Sequence, residues 1–301
     1  MKNVLVIFTA MSCVLLFSGL TPRKSTGRTL VWSEEFNYTG TPDSTKWNFE
    51  EGPKRGIQKQ YYTKNRLENA SVENGILTIT ARKEEYPNPN YYKVKEKLGL
   101  QSLPAEYKNM KADSLPAWVR FRYDSVFHYT SASMTTLGKL SWKYGRIEAR
   151  AKVPQGKGVS SAIWMLGSDL PKAGWPKCGE IDIMEFVGQH PNEIHGNVHY
   201  GDSIPTAHFQ KPGKQKVEKA FDDFHVYAIE WNKEEIKFFC DDILYNTFLF
   251  RSAATKNLNP FHQPFYLIVN LAIGSGNSWS GPVEDRVLPQ KFAIDYIRVY
   301  Q

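Results

Sequence analysis

Residues 144–153 read YGRIEARAKV, and the alternation in this stretch decides the class of fold. Charged side chains occupy every second position, with small or apolar ones between them: Arg146, Glu148, Arg150 and Lys152 against Ile147, Ala149, Ala151 and Val153. A period of two places the two sets on opposite faces of an extended chain. The segment therefore predicts a β-strand that buries one face and exposes the other.

Similar segments recur at short intervals along the chain. The strands that they predict are Leu77–Ala81, His225–Trp231, Ile236–Phe239, Phe265–Ile273 and Phe292–Tyr300. The first follows an Asn-Gly turn signal, the second and third are separated by four polar residues as in a hairpin, and the fourth is apolar enough to be covered on both faces. No long amphipathic helix and no sequence repeat accompany them. Many short strands with turns between them predict an all-β sandwich.

The composition limits the class of protein before any motif is considered. The chain has 301 residues, 41% of them hydrophobic, which suffices for one large core or two smaller ones. Its 23% charged residues exclude a membrane-spanning bundle, and three cysteines exclude a small disulfide-stapled scaffold. Aromatic residues reach 14%, and such rings either fill a core or offer flat faces to a ligand. The formal net charge of +7 permits an anionic partner without requiring one, and we expect no nucleic-acid partner.

The N-terminal residues predict a targeting segment rather than part of the fold. Lys2 precedes a nearly continuous apolar run, Val4–Leu20, and a polar, basic stretch follows it up to residue 28. This order is typical of a secretory signal peptide, which we place at residues 1–24, followed by a short linker to residue 28. The apolar run is also long enough for an uncleaved membrane anchor.

Cys13 raises the alternative of a lipoprotein signal. The apolar run continues beyond it to Phe17, however, whereas a lipid-bearing cysteine should end such a run. We expect a secreted, cell-surface or periplasmic protein with no membrane-spanning domain once the signal is removed. Loss of Lys2, Arg23 and Lys24 would lower the formal charge to about +4.

Residues 29–301 are predicted to form one domain. From Glu84 to about Tyr129 the alternation is weak, and Tyr, Lys, Pro and Asn are abundant. A connection of that length is usually either functional or disordered. We interpret residues 84–129 as an insertion within the single domain, and we expect a monomer.

Three carboxylates lie close together in the segment GEIDIME. Glu180 and Asp182 are two residues apart and share a face of a strand. Glu185 comes three residues after Asp182, so a regular strand would turn it to the other face. A one-residue β-bulge at Ile183 or Met184 would return it to the face of the other two acids. The sequence therefore predicts a bulged strand with three acids on one side.

Such a cluster suits glycoside cleavage. Like charges at short range cannot all ionise cheaply, so a nucleophile and an acid can coexist at one pH. Glu180 and Glu185 would lie about 13 Å apart along the backbone, and side chains that lean together could reach the ~5–5.5 Å of a retaining glycosidase. An acidic face paired with Arg146 or Lys152, or a metal site, would explain the cluster as well.

Two histidines follow the acids in EIHGNVHY. His195 and His199 are four residues apart, so they share one face of a strand. That face would adjoin the carboxylates if this strand pairs with its predecessor. A histidine by itself is more often structural than catalytic.

The segment GEIDIME resembles the active-site signature of glycoside hydrolase family sixteen, in the branch with the bulge residue. That branch contains laminarinases (endo-1,3-β-glucanases) and related agarases, porphyranases and carrageenases. Further segments resemble laminarinase-like members in the same order, from about residue 30 to the end: VWSEEFN, QYYT, YGRIEARAKVP, AIWMLG, GWPKCGEIDIMEFVG, HGNVHYG, FHVYAIEW, PFYLIVNLAIG and AIDYIRVYQ. The resemblance implies a β-jelly-roll sandwich of two antiparallel sheets with a concave substrate cleft. It also implies a retaining, endo-acting hydrolase of a β-glucan polysaccharide that needs no cofactor for its chemistry.

The resemblance also assigns roles residue by residue. Glu180 matches the nucleophile, Glu185 the general acid/base and Asp182 the middle acid that hydrogen-bonds the nucleophile. His199 matches a histidine beside the acid/base. Aromatic residues match positions that stack on sugar rings, whose apolar faces suit a flat indole: Trp164, Trp175 and Trp279. Core packing explains Trp164 equally well, whereas the loop context of the other two favours exposure in the cleft.

A structural Ca²⁺ ion on the convex side is a further implication of the resemblance. Its matching ligands would be Glu35, the Gly75 carbonyl and Asp295. Hard oxygen ligands suit this ion.

Three segments depart from the laminarinase pattern and leave the substrate open. Ser160 and Ser161 replace a Trp-Pro pair, Gly56–Lys59 replaces a segment with an Asn-Glu pair, and GSGNSWSG replaces a glycine-rich loop. The same chemistry on an algal galactan such as agar, porphyran or carrageenan is therefore an alternative. A non-catalytic glucan-binding protein is a further alternative, although such relatives usually lack one of the two glutamates.

Cys178 and Cys240 are expected to be unpaired and partly buried. Export would permit a disulfide between them, but the sequence does not place them within bonding range.

Overall fold

The stretch YGRIEARAKV forms a strand whose burial alternates residue by residue, as its pattern predicts. The computed structural model describes residues 27–89, 91, 119, 124–202, 207–251, 259–276 and 278–301. Within them the strands are β1 Leu30–Glu34, β2 Asn48–Phe49, β3 Tyr61–Tyr62, β4 Ala70–Glu73, β5 Ile76–Pro87, β6 Val126–Ser131, β7 Ser133–Thr135, β8 Gly145–Lys152, β9 Val159–Gly167, β10 Glu180–Val187, β11 Glu193–Gly201, β12 His208–Gln210, β13 Gly213–Lys216, β14 His225–Trp231, β15 Glu235–Cys240, β16 Ile243–Leu249, β17 Phe265–Ile273 and β18 Gln290–Tyr300. A short helix α1, Leu170–Ala173, and a 3-10 turn, Asp285–Val287, accompany them.

These strands form two sheets, which confirms the predicted all-β sandwich. The ten-stranded sheet has the order β16-β15-β14-β8-β18-β5-β6-β3, with β1 beside β18 and β4 beside β5. The eight-stranded sheet has the order β12-β11-β10-β9-β17-β7-β2, with β13 beside β11. The pairs are antiparallel except β3 with β6. The architecture matches the jelly roll that the resemblance implies.

Apolar side chains from both sheets meet in one large core. It includes alternate residues of β8 and β14 from one sheet and of β10 and β17 from the other. Large aromatic residues fill much of it, among them Trp47, Trp231, Tyr227, Phe238 and Phe265. Core packing therefore accounts for much of the aromatic excess, because each ring buries a large apolar surface.

The local predictions hold at the turns. β4 and β5 are joined by Asn74 and Gly75, whose φ angles of 53° and 77° allow the two-residue hairpin that the Asn-Gly pair indicates. β14 pairs with β15 as the predicted hairpin. Every residue of β17 is buried, as expected for a strand covered on both faces.

Strands extend into both ends of the segment 84–129, whose interpretation as an insertion stays a prediction. β5 continues to Pro87 and pairs with β6, which starts at Val126. Pairing with β6 thus extends β5 beyond the residues in which polar and apolar side chains clearly alternate. Most of the segment between them lies outside the described residues, as does the predicted signal peptide. Among the residues that the structure describes, no helix is long and apolar enough to cross a membrane.

Candidate active site

The predicted bulge lies in β10, between Asp182 and Glu185. Against β11, Asp182 pairs with Asn197 and Glu185 with His195, so three steps along β10 oppose two along its neighbour. Ile183 and Met184 both pack in the core. The extra residue therefore returns Glu185 to the face of β10 that points away from the core.

Asp182 is the most buried of the three acids, with 2% of its surface exposed. Burial raises its pKa well above the ordinary range, and the Glu180 carboxylate and a hydrogen bond to it raise it further. The protonated form of Asp182 is therefore stabilised, and in that form it can donate to Glu180. Its Oδ2 atom makes no hydrogen bond among the described residues and lies 3.4 Å from His199 Nε2.

Glu185 also holds a proton to higher pH than a free glutamate. Desolvation of its carboxyl group raises its pKa well above the ordinary value, Asp182 and Glu180 raise it further, and His199 opposes the shift. The strand therefore combines one acid that receives hydrogen bonds with two whose protonated forms are stabilised. General acid catalysis beside a nucleophile requires this difference.

The next strand brings both predicted histidines beside the acids. In the β10–β11 register His199 lies opposite Glu180, and His195 lies opposite Glu185. This confirms the predicted proximity. Burial lowers the pKa of His195, and its ring lies 5.1 Å from that of Trp279, edge to face.

Trp175 adjoins the proposed nucleophile directly. Its indole Nε1 donates a hydrogen bond of 2.6 Å to Glu180 Oε2. It is 40% exposed, and Trp279 is 49% exposed. Both indoles are thus accessible to a sugar ring, and their stacking role stays a prediction.

Trp164 is placed differently from the other two tryptophans. It is 8% exposed, and its Nε1 donates to Asn270 Oδ1 at 2.8 Å. It packs in a small cluster with Leu166, Cys178, Tyr266 and Ile268. The guanidinium of Arg55 lies over its ring, 4.6 Å from the centroid. The alternative of packing therefore describes Trp164 better than an open sugar platform.

Two groups of side chains flank β10, and each contains residues that were not identified from the sequence: His208 in one, and Arg55 and Glu50 in the other. On one side, His208 of β12 lies against His199 and Trp175; we call His195, His199, His208 and Trp175 the histidine flank. On the other side, Arg55 covers Trp164 and pairs with Glu50; we call these three residues the arginine flank. His208 follows His199 by nine residues, but the sequence gives no register between β11 and β12. Arg55 lies in a loop, where no periodicity indicates contact with Trp164.

The predicted calcium ligands do not fit a cation as the structure arranges them. Both carboxylate oxygens of Glu35 accept hydrogen bonds from Arg298, at 2.8 and 2.7 Å. Asp295 Oδ2 lies 2.6 Å from Arg150 Nη1. Gly75 occupies the β4–β5 turn. Guanidinium groups therefore already occupy the two carboxylates that the resemblance assigned to Ca²⁺.

Other side chains could hold a metal by their chemistry. Among the described residues, two groups bring such atoms within 4.8 Å of one another: Glu180, Asp182 and His199, and His225, Cys240 and Asp241. The first group is the set of acids and histidine described above. In the second, His225 Nδ1 already lies 2.6 Å from Asp241 Oδ2.

Cys178 and Cys240 are free thiols, as expected, and both are buried completely rather than partly. Burial raises the pKa of each to about 12. Neither thiol is therefore suited to act as a nucleophile near neutral pH.

Comparisons with known proteins agree with this geometry. The family described as Glycosyl hydrolases family 16 matches residues 57–298. A β-glucanase of Rhodothermus marinus is 41% identical over 285 residues, which cover 90% of this chain and 85% of that protein. The solved laminarinase structure from Rhodothermus marinus is 38% identical with a TM-score of 0.71, over 91% of this chain and 97% of that one.

A third match comes from work on endo-acting O-glycanases that prominent members of the human gut microbiota express to initiate mucin breakdown. That solved structure is 36% identical with a TM-score of 0.75, over 92% of each chain. The family match spans most of the chain, and relatives above 30% identity cover nine-tenths of it. The chain belongs to family 16 of the glycosyl hydrolases.

Proposed function

We propose that this glycoside hydrolase is a retaining, endo-acting enzyme that cleaves β-glucan, either 1,3-β-glucan such as laminarin or mixed-linkage 1,3-1,4-β-glucan. The observation that carries the proposal is the bulge in β10, which brings Glu180, Asp182 and Glu185 to one face. The similarity to the β-glucanase and the laminarinase of Rhodothermus marinus supports the substrate class.

In the first step Glu180 attacks the anomeric carbon of the sugar. The bond from that carbon to the leaving oxygen breaks, and Glu185 transfers its proton to this oxygen. The raised pKa of Glu185 keeps that proton available to a higher pH than an ordinary glutamate would. Hydrogen bonds from Asp182 and from the Trp175 indole orient Glu180 for the attack.

In the second step the ionised Glu185 removes a proton from water, and the resulting oxygen attacks the anomeric carbon. The glycosyl bond to Glu180 breaks, and the carboxylate is restored. Two inversions give net retention of configuration. The reaction uses only side chains and water, so it requires no cofactor.

Substitution Glu180→Gln tests this assignment. We expect a loss of at least ~10³-fold in kcat on laminarin and lichenan, because the amide is a poor nucleophile. The matched control is Glu218→Gln, at an exposed residue paired with Lys216, which should leave kcat unchanged. NMR of the first product formed by the wild-type enzyme should show the β-anomer. Full activity of the Gln variant, or an inverted product, would contradict the proposal.

The arginine flank favours a second candidate, the same chemistry on a galactan. Arg55 covers the ring of Trp164, which puts a guanidinium where a neutral glucan would meet an indole face. The similarity to the mucin-degrading O-glycanases supports a glycan other than β-glucan. A panel of laminarin, lichenan, agarose, porphyran and carrageenan separates the candidates by product release. Strong laminarin cleavage without turnover of the galactans would eliminate the second.

We also propose that the protein is exported and acts as a monomer. The apolar run Val4–Leu20 behind Lys2 supports export. N-terminal sequencing of secreted material would identify the cleavage site, and mass spectrometry would detect a lipid on Cys13. Light scattering of the purified protein would measure its oligomeric state.

A further inference from the structure

The two ring nitrogens of His199 have different partners. Nε2 lies 3.0 Å from Asn197 Nδ2 and 3.4 Å from Oδ2 of Asp182, which can donate to it when protonated, and Nδ1 lies 3.0 Å from Nε2 of His208. Each nitrogen can either donate or accept, depending on where the proton sits. The partners therefore decide the tautomer of a side chain that lies directly opposite Glu180.

The backbone fixes the orientation of the Asn197 amide. Its Oδ1 accepts hydrogen bonds from the N–H groups of Val198, at 2.9 Å, and Lys211, at 3.1 Å. A flipped amide would place NH₂ against two N–H donors, so Nδ2 must face His199. Because Nδ2 only donates, Nε2 of His199 must accept. The proton of the neutral His199 ring is therefore on Nδ1.

His208 supplies the acceptor that this proton needs. The rings of His199 and His208 are inclined by 14° with centroids 5.1 Å apart, the arrangement of an N–H···N bond between edges. Nε2 of His208 must then be unprotonated. Burial and the neighbouring His199 lower the pKa of His208, while Glu180 opposes them. The neutral form that the geometry requires is thus also favoured electrostatically.

The same imidazole supports a second neighbour of Glu180. Its ring centroid lies 5.0 Å from that of Trp175, at an angle of 53°. The Trp175 indole in turn donates to Glu180 Oε2 at 2.6 Å. His208 on β12 therefore contacts both His199 and Trp175, the two side chains that border the Glu180 carboxylate. Among the described residues it makes no direct contact with that carboxylate.

We propose that His208 is a positioning residue of this active site, which fixes the Nδ1–H tautomer of His199 and the orientation of the Trp175 indole over Glu180. The proposal rests on the proposed function of Glu180 as nucleophile. His208 acts through two distinct contacts, an in-plane acceptor and a ring surface, and each can be removed separately.

Two substitutions separate these contacts. His208→Phe keeps a ring against Trp175 but removes the acceptor for His199, and we expect kcat to fall about 10-fold with KM within about 2-fold. His208→Gln keeps an acceptor but removes the ring. Its kcat should fall about 3-fold and its KM rise about 5-fold, because the Trp175 indole that donates to Glu180 loses the ring that supports it. The matched controls are His128→Phe and His128→Gln, at an exposed residue of β6, which should match the wild type.

The tautomer itself can be observed by ¹⁵N NMR of histidine-labelled protein. We expect His199 to carry its proton on Nδ1 in the wild type and in His208→Gln, and to lose this single form in His208→Phe. A proton on Nε2 in the wild type would overturn the proposal, whether or not the variants fold. Identical kinetics of the two His208 variants, or wild-type values in both, would also overturn it.

The wild-type assay distinguishes this failure from failure of the proposed function. If the wild type cleaves β-glucan and Glu180→Gln does not, the function stands and the His208 results decide the inference alone. If Glu180→Gln is fully active, the function fails first, while the NMR result still reports the tautomer.

Discussion

The two flanks of β10 serve the same three acids by different physical means. The histidine flank borders Glu180 with rings joined by directional hydrogen bonds, from Asn197 through His199 to His208. The arginine flank places a guanidinium over Trp164, with its charge offset by Glu50. Neutral donors and acceptors can orient a carboxylate without changing the local charge, whereas a cation adds a longer-range field. The histidine flank therefore suits control of the chemical step, and the arginine flank suits recognition of the substrate.

Among the substitutions that compare the flanks, the largest effect should come from Glu185, which lies between them, opposite His195 on β11 and Ala162 on β9. Glu185→Gln should lower kcat on polysaccharide by about 10²–10⁴-fold, because the leaving oxygen is no longer protonated. Because burial raises the pKa of Glu185, wild-type activity should fall as the pH rises through that pKa. The pH profile of Glu185→Gln should lack this decrease at high pH.

An aryl β-glucoside oligomer with an acidic phenol as leaving group makes this prediction specific. Such a phenol needs no proton, so its release in the first turnover of Glu185→Gln should stay within about 10-fold of the wild type, while later turnovers should be slow because the second step lacks its base. Equal losses on both substrates would mean that Glu185 acts in some other way, and the flank that contacts it would need a different interpretation.

Trp175→Phe tests the histidine flank at its contact with the nucleophile. The change keeps an aromatic ring but removes the N–H that donates to Glu180. We expect kcat to fall about 10²-fold, with a smaller rise in KM, because a preorganised donor beside the reacting carboxylate is lost. Steady-state kinetics on the preferred glucan would measure both constants. A rise in KM alone would show that the indole binds sugar without orienting Glu180.

Arg55→Met tests the arginine flank and should have the smallest effect. We expect KM to rise about 3–10-fold with kcat within about 2-fold, since this group lies on Trp164 and not on the acids. Arg55→Lys keeps the charge without the planar fork and should separate the two contributions. Arg286→Met, at an exposed residue, is the control. A change confined to kcat would contradict the assignment of substrate recognition to the arginine flank and of the chemical step to the histidine flank.

The sequence predicted most of what depends on local pattern. Alternation located β8 and β14, a continuous apolar run located β17, the Asn-Gly pair located the β4–β5 turn, and the odd spacing of Glu185 required a bulge. These features follow from two-residue periodicity and turn chemistry alone.

The features that were missed depend on contacts between distant segments. β5 continues to Pro87 because β6 pairs with it, not because its own residues alternate clearly. The partner of His199 depends on the register between β11 and β12, which the sequence does not give. Arg55 and Trp164 are more than a hundred residues apart, and only the packed sandwich brings them together. The spacing of residues along the sequence likewise does not reveal that Arg298 pairs with Glu35 and would compete there with a cation.

The bulge in β10 also makes the active site tolerant of one particular genetic change. Because the bulge takes up one residue, loss of the Met184 codon would leave EIDIEF, in which plain alternation still directs all three acids outward. The acid/base would stay opposite His195, because three steps along β10 already oppose only two on each neighbouring strand, and the chain beyond it would keep its sides. Insertion of a further codon would instead turn the Glu185 carboxylate into the core and Phe186 into solvent. Deletion and insertion at this point thus have opposite consequences: the first keeps the three acids on one face, and the second removes the acid/base from it.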